Sequence, residues 1–212
     1  VISILVPFRG DGAWRDRAWA YCKARWDSLP YELVIGEDPG TGPFSVARAF
    51  NDAASRATGD VFVLYGADQL PDRDRIEWAG SQLTDHHWAA LYANTAGYDQ
   101  ASTNAMYAGR SPDDMPLGQS VPFCTGILAV RRDSWIKFDE RFVGWGCEDT
   151  AHRMALENLY GPSPEPIGTL RCLYHPGASQ ENFKRNAALV GEYMAAAETG
   201  TMGDLVKRLG LV

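Results

Sequence analysis

Two adjacent carboxylates, Glu148 and Asp149, follow the run Gly144-Trp145-Gly146-Cys147 at what reads as the start of a helix. Glycines flank an indole there, so mobile backbone surrounds an aromatic surface. The apolar C–H faces of sugars pack on indole rings, and carboxylates accept the hydrogens of sugar hydroxyls. An acid at a helix N-terminus is held ionised by the dipole and the backbone N–H groups. The plainer alternative is a buried Trp followed by a capping acid. Beside Gly-Trp-Gly, the pair is read as functional. The apolar run Val61-Phe62-Val63-Leu64-Tyr65 closes on Gly66-Ala67-Asp68. A carboxylate at that point is placed to hold a hard divalent cation against a diphosphate, although an Asp also commonly starts a turn. His175 stands in Leu173-Tyr174-His175-Pro176, and an imidazole suits a borderline metal such as manganese better than magnesium. If Asp68 and His175 converge, the expectation is Mn²⁺ (or Mg²⁺) with positions open for two phosphate oxygens. Cys172 lies three residues earlier, and strand alternation puts it on the opposite face unless the strand has ended. Arg9 would meet phosphate or a surface carboxylate. Glu37 and Asp38 would hold ribose or base, or shape a turn.

The elements that must position these residues are legible in part. Residues 1–6 form a continuous apolar, β-branched run, which predicts a buried strand. Residues 14–28 predict a helix, 31–35 a second strand, 44–58 a helix stopped by Gly59, and 61–65 a third strand. Strand, helix, strand, helix, strand predicts a parallel sheet with right-handed crossovers. Ligands bind such sheets beyond the carboxyl ends of the strands, where Arg9, Glu37, Asp38 and Asp68 all fall. Residues 94–120 carry many Gly, Ser, Asn, Asp and Pro and predict a long irregular loop that shapes the acceptor site. A strand at 126–130, a helix at 149–160, a strand at 170–174 and helices at 181–197 and 203–210 complete the expectation.

At 212 residues the chain suits a single domain with a substantial core. Its 45% hydrophobic and 22% charged content is that of a soluble globular protein. A formal charge of −7 disfavours a broad nucleic-acid footprint. No apolar stretch reaches membrane-spanning length, and no signal peptide opens the chain. The four cysteines, Cys22, Cys124, Cys147 and Cys172, form no CxxC pair, so reduced thiols in a cytoplasm are expected.

Four of these segments together resemble the β-1,4-galactosyltransferase family, and more broadly the nucleotide-sugar transferases of the GT-A fold. Val6-Pro7-Phe8-Arg9 resembles the family's Pro-Phe-Arg, which lines its uridine diphosphate site. Asp68-Gln69-Leu70-Pro71 with Asp74-Arg75 resembles its acidic metal motif and downstream Asp-Arg. Gly144-Trp145-Gly146-Cys147-Glu148-Asp149 is similar to its Gly-Trp-Gly-Gly-Glu-Asp, and His175 falls where it places a metal-binding histidine. The resemblance implies a GT-A (Rossmann-like) mixed, mostly parallel α/β sheet flanked by helices. It implies a nucleotide-binding half over 1–75, an acceptor and catalytic half over 76–180, and C-terminal helices over 181–212. It makes Pro7, Phe8 and Arg9 donor-binding, Asp68 and His175 metal ligands, and Asp149 the catalytic base. Glu148 becomes a sugar-hydroxyl partner, and Trp145 a mobile aromatic at donor and acceptor. Two positions depart from the family pattern: Gly66 stands where the metal motif begins with an Asp, and Cys172 where a methionine ligand is usual.

The implied activity is inverting, metal-dependent transfer of galactose, glucose or an N-acetylhexosamine from a UDP-sugar to an acceptor hydroxyl. The acceptor would be a saccharide, a protein, a small molecule or, against the net charge, a modified nucleobase. Closure of the Trp145 segment and of residues 176–190 over the donor would exclude water. Three alternatives stand beside this one: a retaining transferase of the same fold, a nucleotidyltransferase, and an inactive sugar-binding module. A nucleotidyltransferase normally carries a glycine-rich, basic loop after strand one, which Gly10-Asp11-Gly12 with Arg15 and Arg17 echoes only faintly.

Overall fold

The computed structural model describes residues 1–122, 126–177 and 181–212, so Cys124 and part of the 176–190 segment lie outside the described residues. Strands β1 (Ile2–Pro7), β2 (Glu32–Gly36), β3 (Val61–Leu64), β4 (Trp88–Ala90) and β7 (Leu128–Arg131) form one sheet. Strands β5 (Asn94–Gly97), β6 (Val121–Pro122) and β8 (Thr169–Cys172) form a second, smaller one. The helices are α1 (Trp14–Trp26), α2 (Val46–Arg56), α3 (Arg73–Gln82), α4 (Gln100–Tyr107), α5 (Glu148–Tyr160), α6 (Phe183–Thr199) and α7 (Met202–Arg208).

The larger sheet runs β2-β1-β3-β7-β4. β1 lies between β2 and β3 and is parallel to both, with Ile4 opposite Leu33 on one side and Val63 on the other. β7 then joins β3 and β4 antiparallel, which makes the sheet mixed. Successive residues of the central strands serve opposite faces, as the pleat requires. Leu5, Phe62 and Leu64 pack with Phe50 of α2, Leu156 of α5, Tyr193 of α6 and Leu205 of α7. Ile4, Val6, Val63 and Tyr65 pack with Trp19 and Trp26 of α1, Ile76 of α3 and Met106 of α4. Helices cover both faces, and this is why β1 reads as an unbroken apolar run rather than an alternating one. Each such fully buried side chain contributes about 1.5–3 kcal/mol of transfer free energy.

Close packing sets local composition too. A side chain at Gly36, at the end of β2, would run into the Ala49 carbonyl of α2. α2 turns a nearly all-alanine face inward (Ala47, Ala49, Ala53 and Ala54 around Phe50) and starts from Ser45, whose side chain accepts from Arg48 N at 3.2 Å.

Two expectations need correction, and two elements lie where the sequence predicts none. The stretch 94–120 is not one irregular loop: it holds β5, α4 and a 3-10 turn over Pro112–Asp114. α4 carries little apolar signal because its buried residues are Ser102, Thr103 and Met106; its start is set by Asp99, which accepts from Ser102 N at 2.7 Å. α3 is highly charged and buries only Ile76 and Ala79, and β4 is three residues long, so neither shows a pattern in the sequence. Finally β8 ends at Cys172, not at residue 174. Among the described residues no helix is long and apolar enough to cross a membrane.

Candidate active site

β1 and β3 are parallel, so the segments that follow them emerge at the same edge of the sheet. There Pro7, Phe8 and Arg9 meet Gly66, Ala67 and Asp68 around a cavity of about 440 Å³, well within the range of small-molecule sites. Thr95 and Leu170 contribute from the smaller sheet, and Trp145, Glu148 and Asp149 from the start of α5. Phe44, Phe50, Phe138 and Ile127 add apolar wall.

Asp68 and His175 come from elements far apart in sequence, and backbone hydrogen bonds align them. Leu173 N donates to Asp68 O at 2.8 Å, and Leu70 N to Arg171 O at 3.0 Å. The chain leaves β8 after Cys172 and brings His175 Nε2 to 3.3 Å from Asp68 Oδ2. His175 Nδ1 lies 2.8 Å from the Pro176 carbonyl, which only accepts, so Nδ1 carries a hydrogen. In the neutral ring Nε2 is then a free lone pair facing the carboxylate. The Asp68 hydrogen bond raises the imidazole pKa above its ordinary value, against the effect of burial.

An oxygen and a nitrogen 3.3 Å apart fit two neighbouring ligands of one divalent ion, since donors about 2.1 Å from it at right angles are about 3 Å apart. His175 must be deprotonated for this. Among the described residues no group of three His, Cys, Asp or Glu side chains is close enough to hold an ion, so ligand oxygens and water would complete the shell. Cys172 makes a 3.5 Å contact from Sγ to Thr95 Oγ1. Gly66 donates its N–H to Gln69 Oε1 at 2.5 Å, and a Cβ at residue 66 would lie 2.9 Å from Gln69 Cδ. The Gln69 side chain thus occupies the space beside Gly66.

α5 begins at Glu148, and its N-cap is Cys147, which makes no side-chain capping bond. The two carboxylates are therefore first-turn residues rather than caps. Asp149 Oδ1 accepts from Thr150 N at 2.7 Å, and a Cβ at Gly126 would sit 3.3 Å from Asp149 Cβ, so glycine there leaves the acid its room. Glu148 keeps one oxygen, Oε2, shut off from solvent with no hydrogen-bond partner. Burial first, then the Asp149 charge, pushes Glu148 up to about 7, against the pull of the Glu148 and Gly146 backbone N–H groups. Glu148 thus holds its proton to higher pH than an ordinary carboxyl does.

The segment before α5 is held in an unusual conformation. Gly144, Gly146 and Cys147 all have positive φ, at 78°, 96° and 78°. Such a φ costs a non-glycine residue on the order of 1–3 kcal/mol, and Asn186 of α6 holds the turn in place. Fully buried, it donates from Nδ2 to the carbonyls of Gly146 at 3.0 Å and Val143 at 3.2 Å. Trp145 is left 49% exposed, its ring stacked on Phe183 at 6.0 Å.

Pro7, Phe8, Arg9, Asp68, Trp145, Glu148, Asp149 and His175 are thus brought to one cavity, whereas Glu37 and Asp38 do not line it. Glu37 is exposed and uses its backbone N–H on Asp52 Oδ2 at 2.9 Å. The Asp38 carboxylate is buried; it accepts from Arg48 Nε at 2.7 Å, Ser45 N at 2.8 Å and Arg9 at 2.9 Å. Burial opposes its ionisation, but Arg48 and the Ser45 and Gly40 N–H groups outweigh that and hold it down at about 2. Arg9 also donates to the carbonyls of Asp38, Gly40 and Gly42, so its guanidinium braces the loop after β2. Arg75 donates twice to the Leu91 carbonyl, at 2.7 and 3.0 Å. Phe44 and Asn186 carry no signal in the sequence, because only folding brings them to the cavity or to the Trp145 turn.

No protein-family model matches this chain, and no curated protein sequence does. Solved structures do. Glucosyl-3-phosphoglycerate synthase from Mycobacterium tuberculosis, in complex with Mn²⁺, UDP and phosphoglyceric acid, superposes with a TM-score of 0.55 at 13% identity over 93% of this chain and 78% of that one. Its complex with Mn²⁺ and UDP-glucose gives 0.54 at 12% identity over 93% and 78%. S. aureus TarS 1–349 gives 0.52 at 11% identity over 94% and 69%. At such identities the likeness establishes the fold, the mixed α/β architecture of GT-A glycosyltransferases.

Proposed function

We propose that this chain is a metal-dependent, inverting glycosyltransferase that moves a hexose from a UDP-sugar to an acceptor hydroxyl. The observation that carries this is the convergence of Asp68 with His175, and of Glu148 with Asp149, on one cavity beyond the strand ends. The donor class is supported by the solved relatives, since those of M. tuberculosis glucosyl-3-phosphoglycerate synthase hold Mn²⁺ with UDP or UDP-glucose.

The reaction is a single in-line displacement. Asp149 takes the proton of the acceptor hydroxyl as that oxygen bonds to the anomeric carbon, while the bond from that carbon to the diphosphate oxygen breaks. One displacement inverts the anomeric centre. Glu148 lines the cavity, where its carboxyl offers a hydrogen-bonding partner to a sugar hydroxyl. Trp145 and Phe183 supply an aromatic surface for C–H faces. A divalent ion held by Asp68 and His175 would supply positive charge against the departing diphosphate. In this reading residues 1–75 bind the nucleotide, 76–180 carry acceptor and base, and 181–212 brace the Trp145 turn. A cytoplasmic location goes with free thiols and is checked by cell fractionation.

Calorimetric titration with UDP-glucose, UDP-galactose and UDP-N-acetylglucosamine, with Mn²⁺ and then EDTA, tests the proposal. Metal-dependent binding of one of them is expected. Binding of none with Mn²⁺ present would overturn the donor assignment, and a product that retains the donor's anomeric configuration would overturn inversion.

A further inference from the structure

The cavity holds two arginines, Arg9 and Arg15, and they differ in one respect. Arg9 is committed to Asp38 and three carbonyls. Arg15 is half-buried at the first turn of α1, yet its guanidinium makes no hydrogen bond or ion pair among the described residues. A partly desolvated charge without a partner is costly unless a ligand supplies the partner.

Its position is built, not incidental. Asp11 Oδ1 accepts from Ala13 N at 2.8 Å and Arg15 N at 3.0 Å, which fixes where α1 starts. Trp14 packs edge-on against Tyr174, ring centroids 5.4 Å apart. Those two rings are the chain neighbours of Arg15 and His175, so their contact holds both side chains at the same wall. The Asp11 carboxylate, on the same segment as Arg15, is exposed and spends its Oδ1 on backbone N–H groups. The cavity is otherwise lined by the carboxylates of Asp68, Glu148 and Asp149 and by the His175 imidazole, which already faces Asp68. An anionic ligand entering there finds one uncommitted cation.

We infer that Arg15 is a diphosphate-binding residue of the donor site, and that it holds this group whether or not a metal is bound. The inference rests on the transferase reading for the identity of the donor but not for the anion chemistry. A guanidinium offers a planar fork that matches phosphate oxygens, and its hydrogen bonds to them are charge-assisted.

Titration of sodium pyrophosphate into the metal-free chain, in EDTA, tests this directly. Saturable binding that weakens with added salt is expected, with a loss of about tenfold or more in Arg15→Gln and partial recovery in Arg15→Lys. Arg17→Gln serves as the control on the same helix, since Arg17 lies over the Tyr107 ring at 4.7 Å, and it should bind like the parent. Thermal melts of each variant check that α1 is intact. No pyrophosphate binding by the parent in EDTA, or equal binding by Arg15→Gln, would overturn the inference. If UDP-hexose still bound with Mn²⁺ in that case, the transferase reading would survive; if the parent bound pyrophosphate but no UDP-sugar, the reverse would hold.

Discussion

At the scale of single residues, the site separates charges that do chemistry from charges that hold the frame. Asp38, Arg9 and Arg48 satisfy one another and the loop after β2, whereas Asp68 and His175 face each other at the cavity. Asp149→Asn keeps the size and hydrogen-bonding shape of the side chain but removes its basicity. Transfer by that variant should fall by at least the roughly 10²–10⁴-fold that a positioned base contributes, with UDP-sugar binding intact by calorimetry. Near-parental turnover would remove Asp149 from the mechanism. His175→Ala leaves Asp68 as the lone protein donor of the pair, so Mn²⁺-dependent donor binding should weaken strongly while the fold persists in circular dichroism. Equal Mn²⁺ dependence in that variant would place the ion elsewhere.

Single elements carry the next constraints. α6 meets the Trp145 turn through the Phe183 ring and the Asn186 amide, and Asn186→Ala would strip the Gly146 and Val143 carbonyls of their donor. Leaving buried polar groups unpaired costs about 1–3 kcal/mol, readable in a urea melt. Amide exchange over residues 143–147 should accelerate more than exchange in β1; uniform acceleration would mean that Asn186 supports the whole domain instead. At the end of β2, Gly36→Ala would press a methyl group on the Ala49 carbonyl in the first turn of α2. Overpacking of this kind costs about 1–3 kcal/mol, and an unchanged melting temperature would show that α2 can shift.

For the whole molecule, two buried groups one turn apart on α5 act on folding in opposite directions. Burial lowers His152 to about 4; its ring stacks on Phe138 at 4.0 Å, and Nδ1 has no partner. Above its unfolded value near 6.5 this carries no penalty, and stability is lost as pH falls from there toward 4. Glu148, raised to about 7, does the reverse: stability is lost as pH rises from about 4.5 to 7. Each amounts to about 3 kcal/mol at most, so between pH 4.5 and 6.5 their slopes cancel. Glu148→Gln removes one side of that balance. Relative to the parent, its unfolding free energy should gain steadily with pH across that window and level off above about 7. A constant difference between the two proteins at all pH values would show that Glu148 titrates normally.

The sequence by itself determined the parallel β1–β3 core, because buried runs such as Val61–Leu64 and the glycines and capping residues around their helices leave local marks. It also marked the candidate site, since Asp68, the Gly-Trp-Gly-Cys-Glu-Asp run and His175 stand out by type and order. α3, β4 and α4 left too little pattern because they are short or bury small and polar side chains such as Thr103, whose hydroxyl accepts from Tyr174 N at 3.0 Å. Which charge is free was decided only in three dimensions. Arg9 and Arg15 look alike in the chain; the loop after β2 folds back on the first and leaves the second open, because hydrogen-bond partners for a guanidinium come from residues distant in sequence. The same holds for Glu148, whose proton affinity is set by the walls that folding puts around it.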